Sequence, residues 1–224
     1  MQYTGIILAA GSGSRISNKF NQPKCLIKIN QKTILDYQIE SFIFAGIKEV
    51  IIVTGYKSEK IKDHVKKFRS KIKIKLILNS QYSTTNNMYS AHLAIKEIGP
   101  TSVVLCNGDV VVEKPMVKKL LSNKHKDLVM VDRNKHDEES MKIKLNNNRI
   151  IDIDKKFINS KLNLTSTDFY KFSPETFLIF KNQIKHHIKK IGKNDWTEIA
   201  LKKIFKKTNF LPCNIEKIKW FEID

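Results

Sequence analysis

A mixed, mainly parallel α/β sheet flanked by helices, with a small antiparallel excursion in its second half, is the architecture that this 224-residue sequence predicts. Three observations carry the prediction. Short β-branched runs alternate with amphipathic segments through the first half, the pattern of a parallel sheet covered on both faces. Two of those runs stop at polar, glycine-bearing turns, Gly11-Ser12-Gly13 and Asn107-Gly108-Asp109, and sheets of this kind bind ligands at the carboxyl ends of their strands. After residue 110 the apolar runs shorten and polar stretches separate them, which suits antiparallel strands. No repeat and no Pro/Gly/Ser-rich linker interrupts the chain, so residues 1–224 are read as one domain with halves of about 1–110 and 111–224.

The first element is the apolar run Ile6-Ile7-Leu8-Ala9-Ala10, a buried strand cut off at Gly11. Residues 33–46 carry Ile34, Leu35, Tyr37, Ile39, Phe42 and Ile43 at helical spacing and stop at Gly46, a glycine C-terminal cap. Residues 49–54, centred on Val50-Ile51-Ile52-Val53, form the second strand. Residues 58–68 read as a helix with Ser58 as N-cap and Ile61 and Val65 facing inward, and residues 72–78 as a third strand. A helix over 86–98 ends at Gly99-Pro100, and Val103-Val104-Leu105-Cys106 is the fourth strand. In the second half, 128–131, 141–145, 150–153 and 169–172 read as strands and 174–190 and 195–206 as helices, with Trp220-Phe221-Glu222-Ile223-Asp224 closing the sequence.

Composition narrows the function classes. The 41% hydrophobic share supports a full core. No stretch approaches the roughly 18 consecutive apolar residues of a membrane span, and no basic segment followed by a long apolar one opens the chain, so a cytoplasmic protein is expected. Cys25, Cys106 and Cys213 are few, odd in number and far apart, against a disulfide framework or a cysteine zinc site. The six histidines show no metal-ligand spacing. A formal charge of +19 suits nucleic acid or an anionic membrane surface. The excess is mostly scattered Lys accompanied by many Asn and Ile, which suits solvated faces instead, and no nucleic-acid partner is expected.

The loop after the first strand carries chemistry. Glycines let backbone N–H groups approach phosphate oxygens, and Arg15 and Lys24 supply the full positive charge a triphosphate needs. The glycines alone also fit an ordinary strand-to-loop turn. A dinucleotide fingerprint is excluded because Ile16 stands where the third glycine belongs, and a P-loop because no Gly-Lys-Ser/Thr follows. Asp109, at the mouth of the sheet and facing this loop, is placed to hold Mg²⁺, although a Gly-Asp turn by itself is equally a β-turn. Leu-Ala-Ala-Gly-x-Gly-x-Arg over residues 8–15, with Pro23-Lys24 ending nine residues beyond Arg15, resembles the signature of nucleotidyltransferases that activate sugar phosphates and small phospho-alcohols.

That resemblance implies a Rossmann-like fold, a nucleoside triphosphate held by the first half and an acceptor by the second. The backbone of Leu8, Ala9, Ala10, Gly11, Ser12, Gly13 and Ser14 would cradle the nucleotide. Asp109 would bind magnesium, with Glu222 or Asp224 as second carboxylate. A polar cluster of Asn79, Thr85, Asn86, Asn87 and Ser90 suits reading of a base edge and a ribose, and equally suits helix capping. Its Asn-Asn pair followed by an aromatic and Ser resembles the cytidylyltransferases that activate phosphocholine and related compounds. Val131-Asp132-Arg133, Glu139-Ser140-Met141-Lys142 and Ile153-Asp154-Lys155 resemble the middle region of that subgroup, which implies a place near the phosphates for Lys155, or its neighbour Lys156.

Tyr170-Lys171-Phe172-Ser173 also resembles the family's strand, but Asp168 and Thr165 stand where glycine and glutamate are usual. The departure falls on the acceptor side and makes Asp168 and Tyr170 acceptor-binding candidates, Asp168 through a charge-assisted bond to an ammonium group. Phosphocholine would instead require several aromatics around its quaternary ammonium. The expected reaction is Mg²⁺-dependent transfer of CMP from CTP to phosphocholine, an aminoalkylphosphonate or an amino-acid phosphate such as phosphoglutamine, with release of pyrophosphate, for surface polysaccharide decoration. Three alternatives stand beside it: a sugar-1-phosphate nucleotidyltransferase, a regulatory relic that binds CTP without turnover, and a basic nucleic-acid-binding protein with a structural glycine loop. The sequence gives no oligomeric state.

Overall fold

β1 (Tyr3–Ala9) is the strand on which the sheet is built, and every second residue of it faces the same side. Ile6 and Leu8 join one buried cluster, and Ile7 and Ala9 join another on the opposite face. The computed structural model describes residues 2–13, 21–135, 138–157 and 163–223. After β1 come the short pair β2 (Lys28–Ile29) and β3 (Lys32–Thr33), then α1 (Ile34–Phe44), β4 (Glu49–Thr54), α2 (Ser58–Val65), β5 (Lys73–Leu78) and α3 (Asn87–Lys96). β6 (Ser102–Asn107), β7 (Val110–Val112) and α4 (Pro115–Ser122) complete the first half. The second half holds β8 (Leu128–Asp132), β9 (Lys142–Asn146), β10 (Arg149–Asp154), β11 (Leu164–Phe172), α5 (Pro174–Lys190), α6 (Thr197–Phe205), β12 (Leu211–Asn214) and β13 (Trp220–Glu222).

Among the described residues the main sheet has nine strands, in the order β10-β9-β11-β6-β1-β4-β5, with β8 on β11 and β12 on β8. β6, β1, β4 and β5 are mutually parallel. β11 joins β6 antiparallel, so the expected antiparallel excursion extends the same sheet. Residues of α1, α2 and α4 pack on one face, and residues of α3, α5 and α6 on the other.

Local signals account for most boundaries. Thr33 caps α1 in a reciprocal capping box with Asp36. Gly46, at a φ of 82°, ends it: its N–H bonds Ile43 O and that of Ile47 bonds Phe42 O, a Schellman closure. Asn147 and Asn148 both take positive φ in the two-residue turn between β9 and β10, as a hairpin turn of the mirror-image type requires. Ser58 does not cap α2. Lys57, at a φ of 48°, takes that place without a side-chain cap bond, and Ser58 is the first helical residue. The three thiols are free and buried.

Two lysines depart from the expectation of solvated faces. Lys171 is 2% exposed and donates to Leu120 O, Asn123 O and His125 O at 3.3, 2.9 and 2.9 Å, at the C-terminal end of α4 where carbonyls lack helical partners. Lys142 is 3% exposed and donates to Glu138 O, Ser140 O and Lys155 O.

Candidate active site

Strand order 5-4-1-6 reverses direction between β1 and β6, and a crevice at such a switch point is where α/β sheets bind ligands. A cavity of about 300 Å³ opens there. Leu8, Ala9, Ala10, Gly11 and Gly13 line it from the end of β1, Asn79 from the end of β5, and Asn107, Gly108 and Asp109 from the end of β6. Gly108 donates to Leu8 O at 2.9 Å, drawing the two strand ends together. A Cβ at Gly108 would lie 2.7 Å from Leu8 O and 2.9 Å from Ala9 Cα. Gly108→Ala is therefore expected to cost about 1–3 kcal/mol of stability by overpacking. Thermal melts check this, and an unchanged Tm would contradict the closeness of the two strands.

Four bonds to backbone atoms fix the turn that carries Asp109. Besides the Gly108 bond, the Gln38 side-chain amide donates to Asn107 O at 2.7 Å and to Val110 O at 2.9 Å. Ile223 N donates to Asp109 O at 3.1 Å, tying the turn to the end of β13. The carboxylate is left for other partners. Lys24, which begins a 3₁₀ turn over Lys24–Leu26, donates its Nζ to Asp109 Oδ2 at 3.1 Å. Asp109 Oδ1 is buried and has no hydrogen-bond partner among the described residues. Gly13, at a φ of 58°, has no room for a side chain, since its Cβ would meet Lys24 Cβ at 2.9 Å. Among the described residues nothing lies within 4 Å of a Cβ at Gly11, which borders the open space of the cavity.

The asparagine cluster does two jobs. Asn79 is 1% exposed and spends its amide on Thr85 Oγ1, Ser90 Oγ and the N–H of Gln81 at 3.1, 3.2 and 2.9 Å. Asn86 caps α3. Asn87 bridges the halves: its Oδ1 accepts from Thr197 N at 2.9 Å and its Nδ2 donates to Asn107 Oδ1 at 3.2 Å. Thr85, Asn86, Asn87 and Ser90 line the cavity with Asn79, so capping and a place at the cavity wall coexist.

Asn107 carries the network to the far side of the cavity, donating its Nδ2 to Asp168 Oδ2 at 2.9 Å. Asp168 sits at a φ of 57° in β11, at an irregularity where pairing with β8 slips between Ser166 and Tyr170. A bulge re-aims a side chain, and here a carboxylate lines the cavity from within a strand. Asp168 Oδ1 accepts from Ser166 Oγ at 3.1 Å and from the Tyr170 hydroxyl at 3.0 Å. That hydroxyl also lies 3.2 Å from Glu198 Oε1, and Thr197 Oγ1 is 3.1 Å from both Glu198 oxygens. Tyr170 thus stands behind the cavity wall, 1% exposed, and orients two carboxylates. Lys155 and Glu222 line the cavity, the Lys155 ammonium lying 5.6 Å from the centroid of the Trp196 ring. Ser12 is not among the lining residues. Ser14, Arg15 and Asp224 lie outside the described residues.

Tyr82, Asn107, Met141, Trp196 and Glu198 also line the cavity without having been assigned to it from the sequence. Asn107 stood beside Asp109 in its turn motif, but Glu198 gave no signal beyond an acidic residue in the first turn of a helix, which ordinarily answers the helix dipole.

Burial governs the acid–base character of the site. It raises the Asp168 carboxyl, with nearby Asp109 adding to it against the Asn107 hydrogen bond. Burial followed by repulsion from Asp168 pushes Glu198 up to about 7. Burial also drives the cavity-lining Cys25 thiol up to about 12, so it is no thiolate nucleophile. A carboxyl whose folded value exceeds its unfolded one binds more protons when folded. The resulting stability is complete below the ordinary glutamate value of 4.5 and is lost as pH rises towards 7. Denaturant midpoints should therefore fall between pH 5 and pH 8, and Glu198→Gln should flatten that decline. An identical decline in the variant would contradict the assignment.

Comparison with known proteins places the chain. Residues 5–190 match the MobA-like NTP transferase domain. The choline-phosphate cytidylyltransferase of Streptococcus pneumoniae is 39% identical over 100 residues, covering 44% of this chain and 42% of that protein. The CTP:phosphoglutamine cytidylyltransferase of Campylobacter jejuni is 30% identical over 169 residues, covering 67% of this chain and 65% of that protein. The chain thus matches less than two thirds of each relative's own length. The solved CTP:phosphocholine cytidylyltransferase from Streptococcus pneumoniae superposes with a TM-score of 0.83 at 22% identity over 100% of this chain and 94% of that one, which shows a shared fold. The matched segment begins inside β1 and carries the loop, the Asp109 turn and Asp168: the protein belongs to the family of MobA-like NTP transferase domains.

Proposed function

We propose that the protein is a cytidylyltransferase that transfers CMP from CTP to a small phosphorylated or phosphonylated acceptor. A phosphate or phosphonate oxygen of the acceptor attacks the α-phosphorus in line, a new P–O bond forms as the bond to the β-phosphate breaks, and pyrophosphate leaves. The observation that carries the reading is the Lys24–Asp109 pair at the strand switch point, 3.1 Å apart, facing a glycine loop with open space above Gly11. Phosphoryl transfer asks a protein mainly for positioning and charge neutralisation. Backbone groups of residues 8–14 would cradle the nucleotide, Lys24 and Arg15 would meet the charge developing on the phosphates, and Lys155 would meet the acceptor's anionic end. The cytidine preference rests on the relatives, both named for cytidylyl transfer.

Asp109 and Glu222 fit a magnesium ion: both carboxylates border the cavity, and Asp109 Oδ1 is buried without a donor among the described residues. Among the described residues no three His, Cys, Asp or Glu side chains gather as a closed metal cage, which suits an ion that completes its shell with phosphate oxygens and water. When bound, it would supply Lewis-acid neutralisation of the phosphates. Asp224 is a further carboxylate for this role, and surface polysaccharide decoration is the process such an activity would serve.

A pyrophosphate-release screen of the four common triphosphates against phosphorylated amines, amino acids and sugars tests the reading. Release with CTP and a small non-sugar acceptor is the expected result. Preference for a sugar 1-phosphate would favour the sugar-nucleotide alternative. Salt-sensitive binding of DNA or RNA without pyrophosphate release would sustain the nucleic-acid alternative. Among the described residues no helix is long and apolar enough to cross a membrane.

A further inference from the structure

We infer that Glu198 and Asp168 together form the subsite for a cationic end of the acceptor, and that they select an ammonium group bearing N–H bonds over a quaternary one. The inference rests on the proposed cytidylyl transfer and names its acceptor class: a phosphate or phosphonate joined to a primary or secondary ammonium.

The two carboxyls are 6% and 4% exposed, yet both line the cavity. Asp36, the other buried acid among the described residues, is met by His64 and Lys67, and Asp109 on the same cavity by Lys24. Asp168 is bonded only to neutral groups among the described residues, namely Ser166, Asn107 and Tyr170, and so is Glu198, to Tyr170, Thr197 and its own backbone N–H. Two neighbouring buried carboxyls without a cation are costly, and a cation entering between them would relieve that cost. Burial raises both carboxyls, with repulsion from Asp109 adding to it at Asp168 and repulsion from Asp168 at Glu198, which fits a proton retained there until such a cation arrives. The charged groups that share the cavity are Asp109, Glu222, Lys24 and Lys155. The cavity therefore sets two ammonium groups, Lys24 paired with Asp109 and Lys155 3.8 Å from Glu139, beside the carboxyl pair.

The kind of cation follows from the lining. Carboxylate oxygens are hydrogen-bond acceptors, and Thr197 Oγ1 has only one hydrogen to give the two oxygens of Glu198. An N–H donor would use the remaining lone pairs. A quaternary ammonium donates nothing and favours a cage of aromatic faces. Among the described residues the rings that line the cavity are Tyr82 and Trp196, and the Lys155 ammonium already lies 5.6 Å from the Trp196 centroid.

Phosphoethanolamine, phosphocholine and ethyl phosphate share a skeleton and differ at the end in question. With CTP as donor, the wild-type protein should show a KM for phosphoethanolamine at least roughly tenfold below those for the other two. Glu198→Gln should raise that KM about tenfold while leaving the KM for CTP unchanged, and Glu198→Asp should recover part of the preference. Preference for phosphocholine, or an equal rise of both KM values in Glu198→Gln, would overturn the inference. Calorimetric titration of the same three compounds, without CTP, decides the matter even if no acceptor turns over, an outcome that would fail the transfer reading alone. Tighter binding of phosphoethanolamine than of ethyl phosphate, lost in Glu198→Gln but present in Glu198→Asp, supports the subsite. Equal binding of the two, or no binding of either, refutes it. A thermal melt of Glu198→Gln secures that the variant is folded.

Discussion

Replacing Lys24 with alanine is expected to lower kcat about 10²–10³-fold, the usual cost of deleting one preorganised charge aimed at a phosphoryl transition state. The KM for CTP should change far less, because the proposed nucleotide site is made chiefly of the loop backbone and the asparagine wall. The structure gives a reason for this split. Lys24 approaches the cavity only because Gly13 leaves room for its side chain, and its Nζ is directed at Asp109, where the β6 turn meets the glycine loop. In the proposed transfer, charge would develop at that position. Steady-state kinetics with CTP separate the two constants. Unchanged turnover would remove Lys24 from the mechanism.

Asp109→Asn should be the second severe change. Loss of the negative charge is expected to lower kcat on the order of 10²-fold or more and to raise the magnesium concentration needed for half-maximal rate. The fold should survive, since the turn is held through Gly108, Gln38 and Ile223 and none of those bonds uses the carboxylate. Electron paramagnetic resonance titration with Mn²⁺ in the presence of CTP measures the ion independently of turnover. Wild-type affinity for Mn²⁺ in the variant would show that Asp109 is no ligand. A collapse of the thermal melt would show that the carboxylate is structural.

The parts of this molecule that were legible in the sequence are those set by local rules. β1 announces itself by an apolar run broken at Gly11, α1 by Thr33 and Gly46 at its two ends, and α5 by Ser173-Pro174, where the structure begins the helix at Pro174. β7, α4, β12 and β13 were not legible. β7 and β13 have three residues each and owe their existence to pairing with one another across more than a hundred residues, which no local pattern encodes. The sequence could place Asp109 at a strand end because glycine and a polar turn mark such ends. It could not show Asp168 entering the cavity from within a strand, because that depends on a slipped register and a positive φ, although the departure from the family's usual glycine pointed to this position.

Glu198 shows where a sequence reading stops most clearly. An acid in the first turn of a helix is common, and its meaning here arises only when α6 docks beside β11 and brings it to the Tyr170 hydroxyl that Asp168 also uses. Lys142 and Lys171 teach the same lesson for cations. Lysine in so basic a chain reads as solvated, yet these two are buried because each finds three backbone carbonyls. For Lys142, one of those carbonyls belongs to Lys155, so a buried cation steadies the turn that carries a cavity-lining one.

Phosphorus NMR of CTP mixed with phosphoethanolamine, magnesium and the protein tests the central claim most directly. The predicted result is loss of the CTP resonances with stoichiometric appearance of pyrophosphate and of a cytidine diphosphoester, and neither product with Lys24→Ala on the same timescale. Persistence of CTP with this and every other phosphorylated acceptor, or release of pyrophosphate with CMP as the only partner product, would contradict it.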